Sequence, residues 1–277
     1  MSEPDRYALI GHPVAHSRSP FIHDRFARQT GQSLVYSTLD APPQHFAQVV
    51  REFFEIGGKG LNVTLPHKEA ALALVAELTP RAARAGAVNT LALRADGCLL
   101  GDNTDGAGLA RDLLNNHRVR IAGRRVLLLG AGGAARGALA PLLGLMPASL
   151  TLVNRTPARA ADLAQQFADS GNVRAREFTT LGAKPYDIVI NASSSSLAGE
   201  VPPLPPDCVD RQSFCYDMAY GREDTPFVRW AQQRGCARAV MGLGMLVEQA
   251  AESYLLWRGV RPDTASVLAE LTAALHA

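Results

Sequence analysis

Apolar and polar positions along this chain follow two alternating periods. Short apolar runs, typical of buried strands, precede longer stretches in which apolar residues recur at helical spacing. In the first half, the pattern predicts strands at 7–11, 34–39 and 59–65 and helices at 20–29, 44–56, 68–78 and 106–116. Strands at 88–94 and 98–100 flank an Ala-Asp-Gly tripeptide typical of a hairpin turn. Ser19 is predicted to cap the first helix.

A second alternation begins near residue 120. Its apolar runs predict strands at about 125–129, 149–153, 186–191, 214–217 and 237–241, with helical patterns between most of them. This βαβ rhythm is typical of a parallel sheet covered on both faces. Two helical stretches, 243–257 and 262–276, follow and could pack on either half of the chain. The length of 277 residues suggests two domains.

The most informative segment is RRVLLLGAGGAARG, residues 124–137, where an apolar strand ends in a glycine turn before a helix. Gly130 permits the turn, Gly132 lets the backbone approach phosphate oxygens, and the small Ala135 lets the helix pack close to the strand. The turn can therefore present the free N–H groups of a helix N-terminus to a diphosphate. This context predicts dinucleotide binding.

The end of the next strand indicates which dinucleotide is bound. NAD-preferring sites place Asp or Glu there to bind the ribose 2′-hydroxyl, whereas this chain has Asn154, followed by Arg155, Thr156 and Arg159. A guanidinium can bind a 2′-phosphate, which a carboxylate would repel. We therefore expect NADP; the alternative is that the two arginines form a solvated helix face with Asp162.

Composition excludes several classes of function. Apolar residues make up 47% and charged residues 19% of the chain, and a net charge of +2 gives no general attraction to nucleic acids or acidic membranes. No apolar run reaches the roughly 20 residues of a membrane helix, and the first residues lack a signal-peptide pattern. The four cysteines and seven histidines show no metal-binding spacing. We therefore expect reduced thiols, no metal and a cytoplasmic location.

Polar residues in the first half suggest a substrate site. Ser17 and Ser19 enter a helix, where they could hold a carboxylate or serve only as loop and capping residues. Asn62 and Thr64 alternate with apolar neighbours and so share one face of a strand. Lys68, where this strand ends, could be a partly desolvated catalytic amine or an ordinary solvated lysine.

Two further polar segments follow. Asn89, in AVNTL, could be a solvated strand end, and Asp102 and Asp105, in GDNTDG, could be turn or capping residues. Alternatively, one of these acids could bind a substrate hydroxyl and orient the ammonium group of Lys68. His67 is expected to serve in packing rather than as a ligand.

Together, these segments resemble the shikimate dehydrogenase family. The motifs GHPVAHSRSP, GKGLNVTLPHK, AGAVNTL, GDNTDG, GAGGAARG, NRT and GLGMLVEQA match its order and spacing over nearly the whole chain. The resemblance implies reversible reduction of 3-dehydroshikimate to shikimate by NADPH, a step toward chorismate and the aromatic amino acids. It implies an α/β fold with an N-terminal α/β substrate domain (1–104, with 245–277 packing back on it) and a Rossmann-type, doubly wound NADP-binding domain (105–244).

The family's site residues transfer to this chain position by position. Lys68 and Asp105 would form the catalytic pair. The implied substrate-binding residues are Ser17, Ser19, Asn62, Thr64, Asn89, Asp105, Tyr220 and Gln249. The implied NADP-binding residues are Gly130, Ala131, Gly132, Gly133, Ala134, Asn154, Arg155, Thr156, Arg159, Met218 and Gly242. The expected partner is the small-molecule substrate, without nucleic acid or membrane, and a homodimer is left open.

Two alternatives remain. A relative within the family could also oxidise quinate and accept NAD, but NRT and the serine pair favour the shikimate-specific NADP form. The second alternative is a sensor that binds NADP without turnover, against which the presence of both Lys68 and Asp105 argues.

Overall fold

Two compact units make up the chain in the computed structural model, which describes residues 3–182 and 184–276. The first unit comprises the chain up to Gly108 together with Leu246–Leu275, and the second comprises Leu109–Met245. Asp105, which the predicted domain limits assign to the NADP domain, therefore belongs to the first unit.

Strands and helices alternate along much of the chain. The strands are β1 (Asp5–Gly11), β2 (Leu34–Asp40), β3 (Gly58–Val63), β4 (Glu77–Leu78), β5 (Thr90–Leu93), β6 (Leu99–Asp102), β7 (Arg125–Leu129), β8 (Ser149–Val153), β9 (Val173–Arg176), β10 (Ile188–Asn191), β11 (Phe214–Asp217) and β12 (Arg238–Met241). The helices are α1 (Ser19–Thr30), α2 (Phe46–Glu55), α3 (Pro80–Ala85), α4 (Asp105–Arg111), α5 (Gly133–Gly144), α6 (Pro157–Gln166), α7 (Pro226–Gln233), α8 (Leu243–Arg258) and α9 (Thr264–His276).

A mixed sheet in the order β2-β1-β3-β5-β6-β4 forms the centre of the first unit. β1 is parallel to β2 and β3, whereas β5 is antiparallel to both of its neighbours, β3 and β6. The ends of β3 and β6 and the start of β5 therefore lie at the same edge of the sheet. Apolar side chains of β1, β3 and β5 pack with Phe46, Val50 and Phe53 of α2.

The second unit contains a fully parallel sheet in the order β12-β11-β10-β7-β8-β9. Alternate side chains of β7 enter two different apolar clusters, Val126 and Leu128 one and Leu127 and Leu129 the other, and all four are completely buried. The predicted α/β class and the doubly wound parallel sheet are thus confirmed. The strand order reverses between β7 and β10, and ligands of such sheets bind beside the carboxyl ends of the strands at this point.

Several local predictions are wrong. In place of a helix at 68–78, Ala70–Leu74 form a 3₁₀ turn and Glu77–Leu78 form β4 beside β6. The segment is rich in helix formers, but the N–H of Ala76 donates to the carbonyl of Leu99, so sheet pairing overrides propensity. Strands β4 and β9 and helix α3 were not predicted. None of the helices in the described parts of the chain combines the length and apolar character that a membrane crossing requires.

Ser19 does not cap α1. Arg18 occupies the capping position without a side-chain hydrogen bond, and the helix begins at Ser19 itself. Instead, the hydroxyl of Ser17 accepts a hydrogen bond from the backbone N–H of Ser19 at 3.2 Å. The two serines are therefore joined at the start of α1.

Candidate active site

Lys68 and Asp105 form a close ion pair at the edge of the first sheet. Lys68 follows the end of β3 and Asp105 follows the end of β6, so the sheet topology brings them together. The distance from Lys68 Nζ to Asp105 Oδ2 is 2.5 Å, and the two side chains are only 13% and 6% exposed. Because an ion pair so shielded from water is held in one geometry more firmly than an exposed pair, it can serve as a fixed catalytic unit.

Asn89 holds the second oxygen of this carboxylate. It immediately precedes β5, and its Nδ2 donates to Asp105 Oδ1 at 2.9 Å. Its Oδ1 accepts a hydrogen bond from the backbone N–H of Thr104 at 2.8 Å. Gln249 of α8 lies beside the same amide, with 3.4 Å between its Oε1 and Asn89 Nδ2. Four of the residues predicted for the site, Lys68, Asn89, Asp105 and Gln249, therefore meet.

Asn62 lies deeper in the same polar cluster and is 4% exposed. Its Oδ1 accepts a hydrogen bond from the hydroxyl of Tyr36 at 2.8 Å. Its Nδ2 donates to Ser253 Oγ at 2.9 Å and to Thr90 Oγ1 at 3.1 Å. Both amide hydrogens thus have acceptors within the protein.

Ser17, Ser19 and Thr64 follow the ends of the adjacent strands β1 and β3. A Cβ added to Gly11 would lie 2.3 Å from Thr64 Cγ2, so glycine at this position allows the two strand ends to approach. Burial raises the pKa of the Tyr36 phenol well above its usual value, and a hydrogen bond with Ser19 opposes that shift. Tyr36 therefore links the serine pair to Asn62.

The two acids of GDNTDG have different partners. Asp102 is 1% exposed and accepts hydrogen bonds from Arg81 and Thr79, whereas Asp105 accepts from Lys68. Burial would raise the pKa of Asp102, but the Arg81 guanidinium and the Thr79 hydroxyl outweigh it and hold that pKa below its usual value. Asp102 also accepts a hydrogen bond from the backbone N–H of Asn103 at 2.7 Å. It therefore anchors the loop that carries Asp105.

His67 is a packing residue, as predicted. Its ring stacks on Phe46 with centroids 4.3 Å apart, its Nε2 lies 2.7 Å from the carbonyl oxygen of Ala41, and it is 2% exposed.

Four members of the cluster were not predicted: Tyr36, Thr90, Thr104 and Ser253. For Ser253 a signal was present, because it follows Gln249 by four residues and so lies on the same face of α8. Tyr36, Thr90 and Thr104 carry no comparable signal, since only the strand order brings them to Asn62 and Asn89.

The glycine loop of the second unit fits a dinucleotide diphosphate. Gly130 has φ +108°, and a Cβ added to it would lie 3.0 Å from the carbonyl oxygen of Ala192. Gly132 precedes α5, which has no side-chain cap, and a Cβ added to Gly132 would meet no atom within 4 Å. The N–H groups at the start of α5 therefore have no side-chain cap, as diphosphate binding requires. Ala131, Gly133 and Ala134 complete this loop.

The predicted 2′-phosphate site follows β8. The Nδ2 of Asn154 donates to the carbonyl oxygen of Thr156 at 3.0 Å, which closes the turn before α6. Arg155 and Arg159 are both exposed. Two guanidinium groups are thus accessible beside the end of β8, where the adenosine ribose of a dinucleotide lies in this type of sheet.

Met218 and Gly242 lie together at the ends of β11 and β12. A Cβ added to Gly242 would lie 2.8 Å from the carbonyl oxygen of Met218, so no larger residue fits. The buried Asp217 anchors this segment, since it accepts hydrogen bonds from the backbone N–H of Ala219 and, through side chains, from Asn191, Ser196 and Thr225. Burial raises the pKa of Asp217, and these hydrogen bonds oppose the shift. Tyr220 lies two residues after Met218 in the second unit.

Asn191 and Asp217 were not predicted as anchors. They pair directly across β10 and β11, and each is the polar residue that ends an apolar strand. That pattern is visible in the sequence and could have identified them.

Comparisons with known proteins identify the family of this chain. Three family models match successive parts of the chain: the shikimate dehydrogenase substrate binding domain at residues 9–91, shikimate / quinate 5-dehydrogenase at 109–199, and the shikimate 5'-dehydrogenase C-terminal domain at 242–272. A protein of Aeromonas hydrophila named shikimate dehydrogenase (NADP(+)) is 57% identical over 267 residues, covering 96% of this chain and 97% of its own length. Its namesake in Methylococcus capsulatus is 54% identical over 273 residues, covering 99% and 98%.

A solved structure gives the same result at the level of the fold. The shikimate 5-dehydrogenase of Thermus thermophilus, crystallised in complex with NADP(H) and shikimate, superposes with a TM-score of 0.86 at 33% identity, covering 98% of this chain and 99% of that one. Because the likeness extends over nearly the whole length in both sequence and fold, the chain belongs to the shikimate dehydrogenase family.

Proposed function

We propose that this protein catalyses the reversible, NADPH-dependent reduction of 3-dehydroshikimate to shikimate. The observation that carries the proposal is the shielded pair of Lys68 Nζ and Asp105 Oδ2, 2.5 Å apart, with Asn89 bound to the other carboxylate oxygen. The names and bound ligands of the relatives support the choice of substrate and cofactor.

The chemistry follows from the position of the lysine amine. NADPH, when bound, supplies the hydride that reduces the ring ketone. Negative charge then develops on the ketone oxygen, and the ammonium group of Lys68 stabilises this charge and donates a proton to it. In the oxidative direction the amine of Lys68 accepts the hydroxyl proton. Asp105 keeps the amine oriented throughout and would itself accept a hydrogen bond from a ring hydroxyl.

Other side chains would position the substrate. The hydroxyls of Ser17 and Ser19, with Thr64 nearby, would bind its carboxylate. Asn62 would meet a ring hydroxyl as an acceptor, because both of its amide hydrogens already have partners. Asn89 and Gln249 lie beside the catalytic pair and would bind other ring hydroxyls.

The second unit would hold the cofactor. The uncapped start of α5 suits the diphosphate, and Arg155 and Arg159 suit the 2′-phosphate that distinguishes NADP from NAD. Met218 and Gly242 would contact the nicotinamide half. We further infer a cytoplasmic enzyme, supported by four cysteines that are all free thiols.

The test is to mix the protein with shikimate and NADP⁺ and follow the absorbance of NADPH. We expect rapid NADPH formation with this pair, and much slower formation when quinate replaces shikimate or NAD⁺ replaces NADP⁺. NADP⁺ binding without any turnover of shikimate would contradict the proposal and favour a sensor. Comparable rates with quinate would favour the broader quinate/shikimate activity.

A further inference from the structure

Ser253 is a completely buried hydroxyl in α8 to which the proposed mechanism gives no role. Its Oγ lies 2.9 Å from Asn62 Nδ2, 2.8 Å from Thr90 Oγ1 and 3.2 Å from Thr104 Oγ1. Serines within helices often bond only to the carbonyl four residues earlier, here that of Gln249 at 3.2 Å. Ser253 does more, because it contacts polar groups of β3, β5 and the loop before α4.

The direction of these hydrogen bonds follows from counting protons. An amide nitrogen can only donate, so Ser253 accepts the bond from Asn62 Nδ2. Thr90 Oγ1 donates its single proton to Asn89 Oδ1, 2.9 Å away. Thr90 can therefore only accept from Ser253, whose single proton is shared between Thr90 Oγ1 at 2.8 Å and the carbonyl oxygen of Gln249 at 3.2 Å. The result is a series of hydrogen bonds in which each side chain donates to the next, from Asn62 through Ser253 and Thr90 to Asn89.

This series of hydrogen bonds determines which way the Asn89 amide points. Its Oδ1 accepts from Thr90 and from the backbone N–H of Thr104, so its Nδ2 faces Asp105 Oδ1 at 2.9 Å. A flipped amide would turn its carbonyl oxygen toward the carboxylate and leave both donors without an acceptor. The amide orientation that supports Asp105 thus depends on the two groups that donate to Asn89 Oδ1, the hydroxyl of Thr90 and the backbone N–H of Thr104.

We propose that Ser253 is a positioning residue, which orients the Asn89 amide so that it holds the carboxylate of Asp105 and, through it, the amine of Lys68. The effect of Ser253 on turnover rests on the proposed function, whereas its effect on the Asn89 amide does not.

Kinetics give the first test. Ser253→Ala removes the hydroxyl but keeps a good helix former, and we expect kcat to fall roughly 3- to 10-fold, as for the loss of one net hydrogen bond. The matched control is Ser213→Ala, which removes another buried hydroxyl, one that donates to the carbonyl of Tyr186 in the second unit. This control leaves kcat unchanged. Ser253→Cys, which keeps the volume but weakens the hydrogen bonds, gives an intermediate kcat and also serves if the alanine variant folds poorly.

A double-mutant cycle separates positioning from a merely structural role. If Ser253 acts through Asn89, Ser253→Ala has no further effect on kcat in an Asn89→Ala background. An equal fold-loss of kcat in both backgrounds overturns the proposal.

NMR of the ligand-free protein gives a test that needs no turnover. The side-chain NH₂ resonance of Asn89 is assigned by its absence in Asn89→Asp. We expect this resonance to move and to exchange faster with water in Ser253→Ala, and to stay unchanged in Ser213→Ala. An unchanged resonance in Ser253→Ala overturns the proposal. A wild-type protein that does not oxidise shikimate contradicts the proposed function instead, and the NMR result then decides the role of Ser253 by itself.

Discussion

The amine of Lys68 is the single group on which the chemistry depends most. A positioned acid–base group contributes roughly 10²- to 10⁴-fold to rate, so Lys68→Ala should lower kcat by about that factor. The KM for shikimate should change far less, because the carboxylate and hydroxyl contacts remain. Steady-state kinetics with shikimate and NADP⁺ measure both parameters.

Lys59 provides a matched control for this variant. It lies on the same strand, β3, and is exposed, so Lys59→Ala should behave as wild type. A Lys68→Ala enzyme with a kcat near that of wild type would remove this lysine from the mechanism.

We expect the buried His23 of the first unit to make the stability of the protein depend on pH. It is 1% exposed, stacks on Tyr36 at 4.1 Å, and neither ring nitrogen meets hydrogen-bond geometry, although Asn62 lies close by. Burial lowers the pKa of His23 to about 3, whereas an unfolded histidine titrates near 6.5. Between these values only the unfolded chain binds the proton. The contribution to stability is therefore fully present above about pH 6.5 and is lost as the pH falls toward 3, by roughly 1.4 kcal/mol per pH unit.

Replacing this ring with an apolar one should remove that dependence. We expect the free energy of unfolding of His23→Phe to fall less than that of wild type between about pH 7.5 and about pH 5, as measured by urea titration. The exposed His45 is the control, and His45→Gln should keep the wild-type slope. Parallel pH profiles for wild type and His23→Phe would show that His23 is not neutral in the folded protein.

At the level of elements, the contact between α4 and α8 brings Gln249 to the site. A Cβ added to Gly108 of α4 would lie 2.7 Å from both Cβ and N of Gln249. Helix propensity alone predicts that Gly108→Ala stabilises the protein by about 1 kcal/mol. Packing predicts the opposite, a loss of roughly 1–3 kcal/mol and a higher KM for shikimate as α8 is displaced.

Gly144 separates these two effects. It ends α5, and a Cβ added there would meet no atom within 4 Å, so Gly144→Ala tests propensity without crowding. Thermal unfolding of both variants should show destabilisation by Gly108→Ala and none by Gly144→Ala. Stabilisation by Gly108→Ala would mean that the two helices are not in close contact.

The sequence predicted well those elements whose apolar pattern follows directly from their burial. The strands of the second sheet are buried on both faces, so continuous apolar runs such as that of β7 identify them. β9 has the sequence VRAR and alternates between half-buried and exposed positions at the edge of the sheet, so its signal was too weak. The predicted helix at 68–78 failed because pairing of β4 with β6, distant in sequence, outweighs local propensity.

The same distinction applies to the site. Motifs of contiguous residues, such as the glycine loop and Lys68, were visible in the sequence. The sequence pattern alone left Asp102 and Asp105 as equal candidates for the acid that orients Lys68. Only the resemblance to the family favoured Asp105. Only the strand order shows why, since it aligns Asp102 with Thr90 and directs Asp105 to the lysine. The spacing of Ser253 from Gln249 indicated that Ser253 belongs to the cluster. It could not indicate the contacts with Asn62 and Thr90, which lie more than a hundred residues earlier in the chain.

At the scale of the whole molecule, each unit is expected to bind its own ligand, and ligand-induced stabilisation can test this separately for each. A ligand present at 100 times its Kd stabilises the folded state by about 2.7 kcal/mol, and each tenfold loss of affinity removes about 1.4 kcal/mol. The double variant Ser17→Ala/Ser19→Ala should lose much of the rise in Tm produced by shikimate and keep the rise produced by NADP⁺. Arg155→Ala should lose much of the rise in Tm produced by NADP⁺ and keep the rise produced by shikimate.

The same measurement with NAD⁺ tests the role of Arg155 more specifically. It lacks the 2′-phosphate, so Arg155→Ala should leave the smaller stabilisation by NAD⁺ unchanged while it reduces that by NADP⁺. Equal losses with both cofactors would mean that Arg155 supports the fold of the second unit rather than reading the phosphate. Loss of both shikimate and NADP⁺ effects in the serine variant would contradict the assignment of substrate to the first unit, because a defect confined to one site leaves the other ligand's binding intact.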